Sequence, residues 1–166
     1  MKNRIFLILA LLVLAGLSTS LGCATSPAIR PVNAGPEVGD YVVAEPYVKA
    51  ADWDKMETVE VVLSEYSFDQ SEFHFKAESP YKLQIKNKGA YKHYFVAEEF
   101  FKAIATRKVQ SNKDGEIKAP YFTAIEVYPG GSLDLYFVAV TKGEYNLHCT
   151  IEGHEAMGMH GTIIIE

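Results

Sequence analysis

The stretch EYNLHCTIEGHEAMGMHGTIIIE, residues 144–166, decides how the chain is read. Its first part alternates. Tyr145, Leu147 and Cys149 fall on one face of an extended segment, and Asn146 and His148 fall on the other. With the apolar face turned inward, Cys149 points into the protein and His148 points out. The last residues, HGTIIIE, read as a second strand. Between the two lies a loop that carries His154, Met157 and Met159. A thiolate, an imidazole and thioethers are thereby brought within reach of one point, which suits a soft metal ion.

Working outward from this hairpin, the same period-two pattern recurs. TVEVVLSEYSF puts Val59, Val61 and Leu63 on one face, and EFHFKA puts Phe73 and Phe75 on one face with Glu72, His74 and Lys76 opposite. YKLQIKN alternates Tyr81, Leu83 and Ile85 with Lys82, Gln84 and Lys86. KHYFV, YFTAIEVY and SLDLYFVAV complete a set of eight short strands. Turn residues separate several of them: Asn87-Lys88-Gly89, Pro129-Gly130-Gly131 and Lys142-Gly143. The expectation is an all-β antiparallel sandwich or barrel. One stretch departs from it. AEEFFKAIATRK spaces Phe100 and Ile104, and Phe101 and Ala105, four apart, with acids in its first turn and Arg107 and Lys108 in its last. It reads as a short inserted helix, followed by a loop through Asn112-Lys113-Asp114-Gly115.

Residues 1–22 carry Lys2 and Arg4, an apolar run from Ile5 to Leu17 and then small residues. This is the pattern of an export signal, too short in its apolar part to be a membrane span. Gly22-Cys23 resembles the end of a bacterial lipobox, although Ser20 stands where that motif usually has Leu, so Cys23 is the expected lipidation site. The expected location is the periplasm or cell envelope, with acyl chains holding the protein to a membrane. Residues 23–55, rich in Pro, Ala and Gly, read as a tether that docks through Tyr41–Val43 or Trp53, and residues 56–166 read as the folded domain. Removing the signal takes the formal charge from −5 to −7, because it carries two basic residues and no acidic one. Such acidity argues against nucleic acid and for a basic partner. With Cys23 heading the exported chain, Cys149 has no disulfide partner, and a lone thiol in an oxidising compartment calls for protection by burial or by a metal.

A thiolate–imidazole–thioether set needs a second imidazole, and the inward-facing His93 of KHYFV is the candidate. His74 and His148 lie on outer faces and read as surface residues. Two blocks, NKGAYKHYF and CTIEGHEAMGMHGTIII, resemble the cupredoxins, the blue copper proteins that include plastocyanins and azurins. The resemblance implies a Greek-key antiparallel β-sandwich binding one copper ion that cycles between Cu(I) and Cu(II). It implies His93, Cys149 and His154 as equatorial ligands and Met159 as the axial one. Met157 then sits on a hydrophobic rim, His160 on the surface, and His154 at a partly exposed exit for electrons. Tyr94 stands where many relatives have an Asn whose amide ties the ligand loops together. A binuclear site is excluded, because the loop has no second Cys.

The functional expectation is a carrier of single electrons between redox partners, such as a c-type cytochrome or an oxidase. No general acid, base or activated nucleophile is evident, so the chain is read as not an enzyme. Two rivals accompany this reading. One is copper sequestration or delivery, with Met157, Met159, His148 and His160 as an accessory patch. The other is a red-copper relative in which Glu98 or Glu99 replaces the axial ligand. Glu98 and Glu99, following His93, and Glu152 and Glu155, bracketing His154, are expected to surround the site with negative charge.

Overall fold

The alternation written in the sequence reappears as burial in the computed structural model, which describes residues 37–38, 40–111 and 114–166. The export segment 1–22, Cys23 and the loop residues Asn112 and Lys113 lie outside the described residues. The described residues open with a hairpin of β1 (Glu37–Val38) and β2 (Tyr41–Val42), then helix α1 (Ala44–Ala50) and one 3-10 turn at Trp53–Lys55. Strands β3 (Glu57–Ser64), β4 (Ser67–Phe68), β5 (Glu72–Phe75), β6 (Pro80–Asn87) and β7 (His93–Val96) follow. After helix α2 (Glu98–Ala103) come β8 (Ile104–Ser111), β9 (Gly115–Ile117), β10 (Ala124–Val127), β11 (Ser132–Ala139), β12 (Gly143–His148) and β13 (His160–Ile165).

These strands build two sheets, β10-β7-β12-β13-β5 and β4-β3-β6-β11-β8-β9. The fold is the expected β-sandwich, with one difference in detail. β3 runs parallel to β6, and β13 runs parallel to β5, so each sheet is mixed. In β6 every second residue, Tyr81, Leu83, Ile85 and Asn87, is buried, as a strand with one face on the core requires. Phe75, Phe95, Phe100, Phe101, Phe137, Leu135 and Leu147 fill the space between the sheets, all at most 1% exposed. Phe100 stacks on Phe75 with centroids 5.9 Å apart and meets Phe137 edge-on at 5.5 Å. Such pairs contribute about 0.5–1.5 kcal/mol beyond the area they bury.

Three local expectations are corrected. The helix expected over residues 97–108 ends at Ala103, and Ile104–Ser111 is a strand paired with β11 in the register Ala139↔Ile104 and Val138↔Ala105. One and a half turns suffice to bury Phe100 and Phe101. The open edge of β11 then offers Ile104 onward a ladder that outweighs a weak helical preference. Arg107 and Lys108 therefore do not face a helix dipole. The Arg107 guanidinium lies 4.4 Å over the Trp53 ring, and Lys108 pairs with Glu116 at 2.8 Å. The second correction is TVEVVLSEYSF, which is a hairpin and not one strand: Leu63 pairs with Phe68 and Ser64 with Ser67. The third concerns the tether: it docks through Val42 and Trp53 as expected, but its residues 44–50 are helical, and Ala44, Tyr47, Val48 and Ala51 also pack with Val42 on Ala105 and Val138. Among the described residues no helix is long and apolar enough to cross a membrane.

Candidate metal centre

His93 opens β7, Cys149 follows β12 directly, and Met159 immediately precedes β13. Because β12 pairs antiparallel with both β7 and β13, these three positions meet at one end of the five-stranded sheet. Backbone bonds close the loop between them. The Cys149 N–H donates to the Met159 carbonyl at 3.1 Å, and the Met159 N–H donates to the His154 carbonyl at 2.9 Å. Gly153 and Gly158 take the left-handed turns this needs, at φ 80° and 112°. The loop folds His154 back so that its Nδ1 lies 3.7 Å from Cys149 Sγ.

The donor atoms of His93, Cys149 and His154 all lie within 4.8 Å of one another, and all three residues are buried. Neither ring nitrogen of His93 has a hydrogen-bond partner. A buried, unpaired polar group costs about 1–3 kcal/mol, and a metal bond relieves that cost. Burial, together with the neighbouring His154, holds His93 below the ordinary imidazole range, and Glu65 acts against them. The ring is thus kept in the neutral form that binds metal. Two imidazoles and a thiolate fit copper, and Met159 is fully buried at the base of the same loop.

Other expectations fare differently. Met157, at 52% exposed, is a rim residue, and Met159, at 0%, cannot join a surface patch with it. His74 and His160 are exposed and His148 is half-buried; His148 and His160 face each other across β12 and β13 on the outer side. Glu98 and Glu99 are not at the site. β7 carries the chain away from His93, so α2 begins beyond its far end, where both carboxylates pair with Lys102 at 3.1 and 3.0 Å. The reading that gives one of them the axial position falls, and of the four expected carboxylates only Glu152 and Glu155 border the ligand loop. His154 is also less open than expected, at 7% exposed, because the Tyr66 ring packs edge-on against it at 5.1 Å.

Sequence reasoning missed three residues around the centre. Asn87, 2% exposed, holds the loop that leads into His93: its Nδ2 donates to the carbonyls of Tyr91 and Val127, and its Oδ1 accepts from the Gly89 N–H, all at 2.8 Å. It ties the loop where Tyr94 gives only its backbone N–H, 3.5 Å from Cys149 Sγ. Glu65 and Tyr66 form the tip of the β3–β4 hairpin, with Tyr66 in the left-handed region at φ 64°. Ser64-Glu65-Tyr66-Ser67 contains none of the Gly, Asn or Pro residues that signal a tight turn. The first block of the resemblance did contain Asn87, without a role.

Comparison with known proteins follows from this geometry. Residues 45–166 match the family described as multicopper oxidase. The chain belongs to that family. It is a cupredoxin-like domain of a copper-binding family, as the two sequence blocks implied. The expectation that it is not an enzyme is overturned by the same match, since the family is one of oxidases. Among solved structures it is similar to a multi-copper oxidase from Pseudomonas thermotolerans, with 19% identity, TM-score 0.54, 70% of this chain and 31% of that one covered. A multi-copper oxidase from Pediococcus acidilactici gives 15% identity, TM-score 0.53, and coverage of 70% and 27%. Auracyanin from Roseiflexus castenholzii gives 21% identity, TM-score 0.46, and coverage of 70% and 99%. The chain thus spans under a third of the length of these two oxidases. A search of curated proteins finds no match to the sequence.

Proposed function

We propose that this chain is a carrier of single electrons in which His93, Cys149 and His154, together with Met159, would hold one copper ion. The observation that carries the reading is the buried trio of donor atoms within 4.8 Å, one of whose rings has no other partner. When bound, copper supplies a one-electron Cu(II)/Cu(I) couple. The protein's part is to keep the donors in place. Cys149 and Met159 are clamped by their mutual backbone bond, His93 by the Asn87-braced loop, and His154 by its turn and by Tyr66. Tyr66 and Met157, 41% and 52% exposed, form the outer surface nearest His154. Glu152 and Glu155, both exposed, favour a basic redox partner such as a c-type cytochrome or an oxidase. Export to the periplasm or envelope, with lipid on Cys23, belongs to this proposal.

The family match favours a second reading, in which the same centre takes up electrons for an oxidase reaction. In both readings His93, Cys149 and His154 do the same work, and what differs is the electrons' destination. Visible and electron-spin spectra of the copper-loaded protein, with a redox titration, test the shared part. An intense thiolate-to-copper band with reversible one-electron behaviour is expected. Copper that shows no such band and passes readily to chelators would instead support sequestration or delivery. Oxygen uptake with a small reductant then separates carrier from oxidase.

A further inference from the structure

The hairpin tip that reaches the metal end carries a carboxylate as well as the Tyr66 ring. We infer that Glu65 is a positioning residue for His93, accepting its Nε2–H once the other ring nitrogen holds copper, and that its charge biases the centre toward Cu(II). The inference rests on the copper reading above.

Glu65 Oε1 accepts the backbone N–H of Ala90, and that of Tyr91 at 3.2 Å, so the carboxylate is docked on the loop leading into His93. Its position relative to the ring is marked by Gly89. A methyl group placed there would lie 2.6 Å from Glu65 Oε1 and 3.0 Å from His93 Nε2. Carboxylate and ring nitrogen therefore converge on the one spot that a glycine keeps clear. Glu65 is not among the clustered donors of His93, Cys149 and His154, and the ring nitrogen on its side of Gly89 is Nε2. These backbone donors, its own N–H first and that of Ala90 next, hold Glu65 below the usual carboxylate range and so keep it charged.

The chemistry follows from the ring. A neutral imidazole that gives one nitrogen to a metal carries its proton on the other, and His93 Nε2 is buried with no partner. A buried N–H needs an acceptor, and Glu65, whose Oε1 shares the space beside Gly89 with that nitrogen without yet bonding to it, is the candidate. A carboxylate behind a ligating histidine orients the ring and makes it more electron-donating, which favours the higher oxidation state.

The test uses the full-length copper-loaded protein as wild type, Glu65→Gln and Glu65→Ala, followed by visible absorption and redox titration. Gln keeps an oxygen for the Ala90 and Tyr91 N–H groups and removes only the charge. The expected Gln variant retains the thiolate band and shifts the Cu(II)/Cu(I) partition at fixed potential about tenfold toward Cu(I), or about 59 mV for one electron. If Gln titrates like wild type and only Ala differs, Glu65 merely pins the loop and the inference is overturned. Equal midpoints in all three overturn it too. A wild type with no thiolate-to-copper band sinks the copper reading and this inference with it, whereas a wild-type band with unshifted variants sinks the inference alone.

Discussion

Replacing Asn87 by Ala should separate the strength of the loop brace from the strength of the metal. The side chain is 2% exposed and makes three hydrogen bonds of 2.8 Å, to Tyr91 O, Val127 O and Gly89 N. Each contributes about 0.5–1.5 kcal/mol net, and stranding a buried partner such as the Val127 carbonyl adds to the loss. The sum is a destabilisation of about 3 kcal/mol. For a domain of about 110–130 residues that corresponds to a fall in Tm of about 10–14 °C. Equilibrium urea unfolding of the metal-free protein reads it directly, with an unchanged slope showing that the native state is intact. Because Tyr91 lies two residues before His93, the variant should also release copper to a chelator faster than wild type. A loss below about 1 kcal/mol, with copper retained as in wild type, would mean that the Asn87 brace is redundant and that strand pairing and Glu65 position His93.

Four further outcomes are expected. Cys149→Ser should abolish the intense visible band while circular dichroism stays that of the folded sandwich; a variant that keeps the band would refute the thiolate assignment. Met159→Leu should move both spectrum and potential and Met157→Leu should move neither, since the first is fully buried and the second half exposed; the reverse result would transfer the axial role to Met157. Electron transfer to a basic cytochrome should slow as salt rises from 0.01 to 0.1 M, and less so in Glu152→Gln/Glu155→Gln, as the Debye length shrinks from about 30 to 10 Å. A rate indifferent to salt would leave docking to the apolar rim. Glu116 is held down to about 2 by hydrogen bonds from Lys108 and Lys118, so its ionised form contributes stability above its unfolded value of 4.5 that is lost as pH falls toward 2. Glu116→Gln should flatten that part of the acid unfolding profile.

The sandwich was legible because its strands are half-buried, and a strand with one wet face must alternate, as β6 does. The grouping of Cys149 with His154 was legible because both sit in one contiguous loop whose ends are such strands. His93 could be added because its position in KHYFV puts it on the face shared with Phe95. What escaped depended on direction and on distant chain. Glu98 and Glu99 follow His93 closely in sequence, yet four extended residues carry them to the other end of the sheet. The burial of His154 comes from Tyr66, and part of the brace on the His93 loop from Glu65, both on a hairpin whose turn has no Gly, Asn or Pro to announce it. The end of α2 was set by the open edge of β11, which no local pattern contains. The expectation that the chain is not an enzyme failed for a chemical reason: a thiolate and two imidazoles serve a shuttle and an oxidase equally well.

The placement of β13 between β12 and β5 bears on when the centre can come into existence. That strand is laid antiparallel on one neighbour and parallel on the other, and the loop bearing Cys149 and His154 is closed only when it docks. His93 reaches the same corner from a strand of its own, 55 positions separating its neighbour Tyr94 from Cys149. Contacts so remote in sequence form late, because loop closure must be completed before they can contribute. The metal pocket is therefore a product of folding and offers the collapsing chain no template. On the reading proposed above, copper would bind the finished sheet corner and add to its stability by mass action.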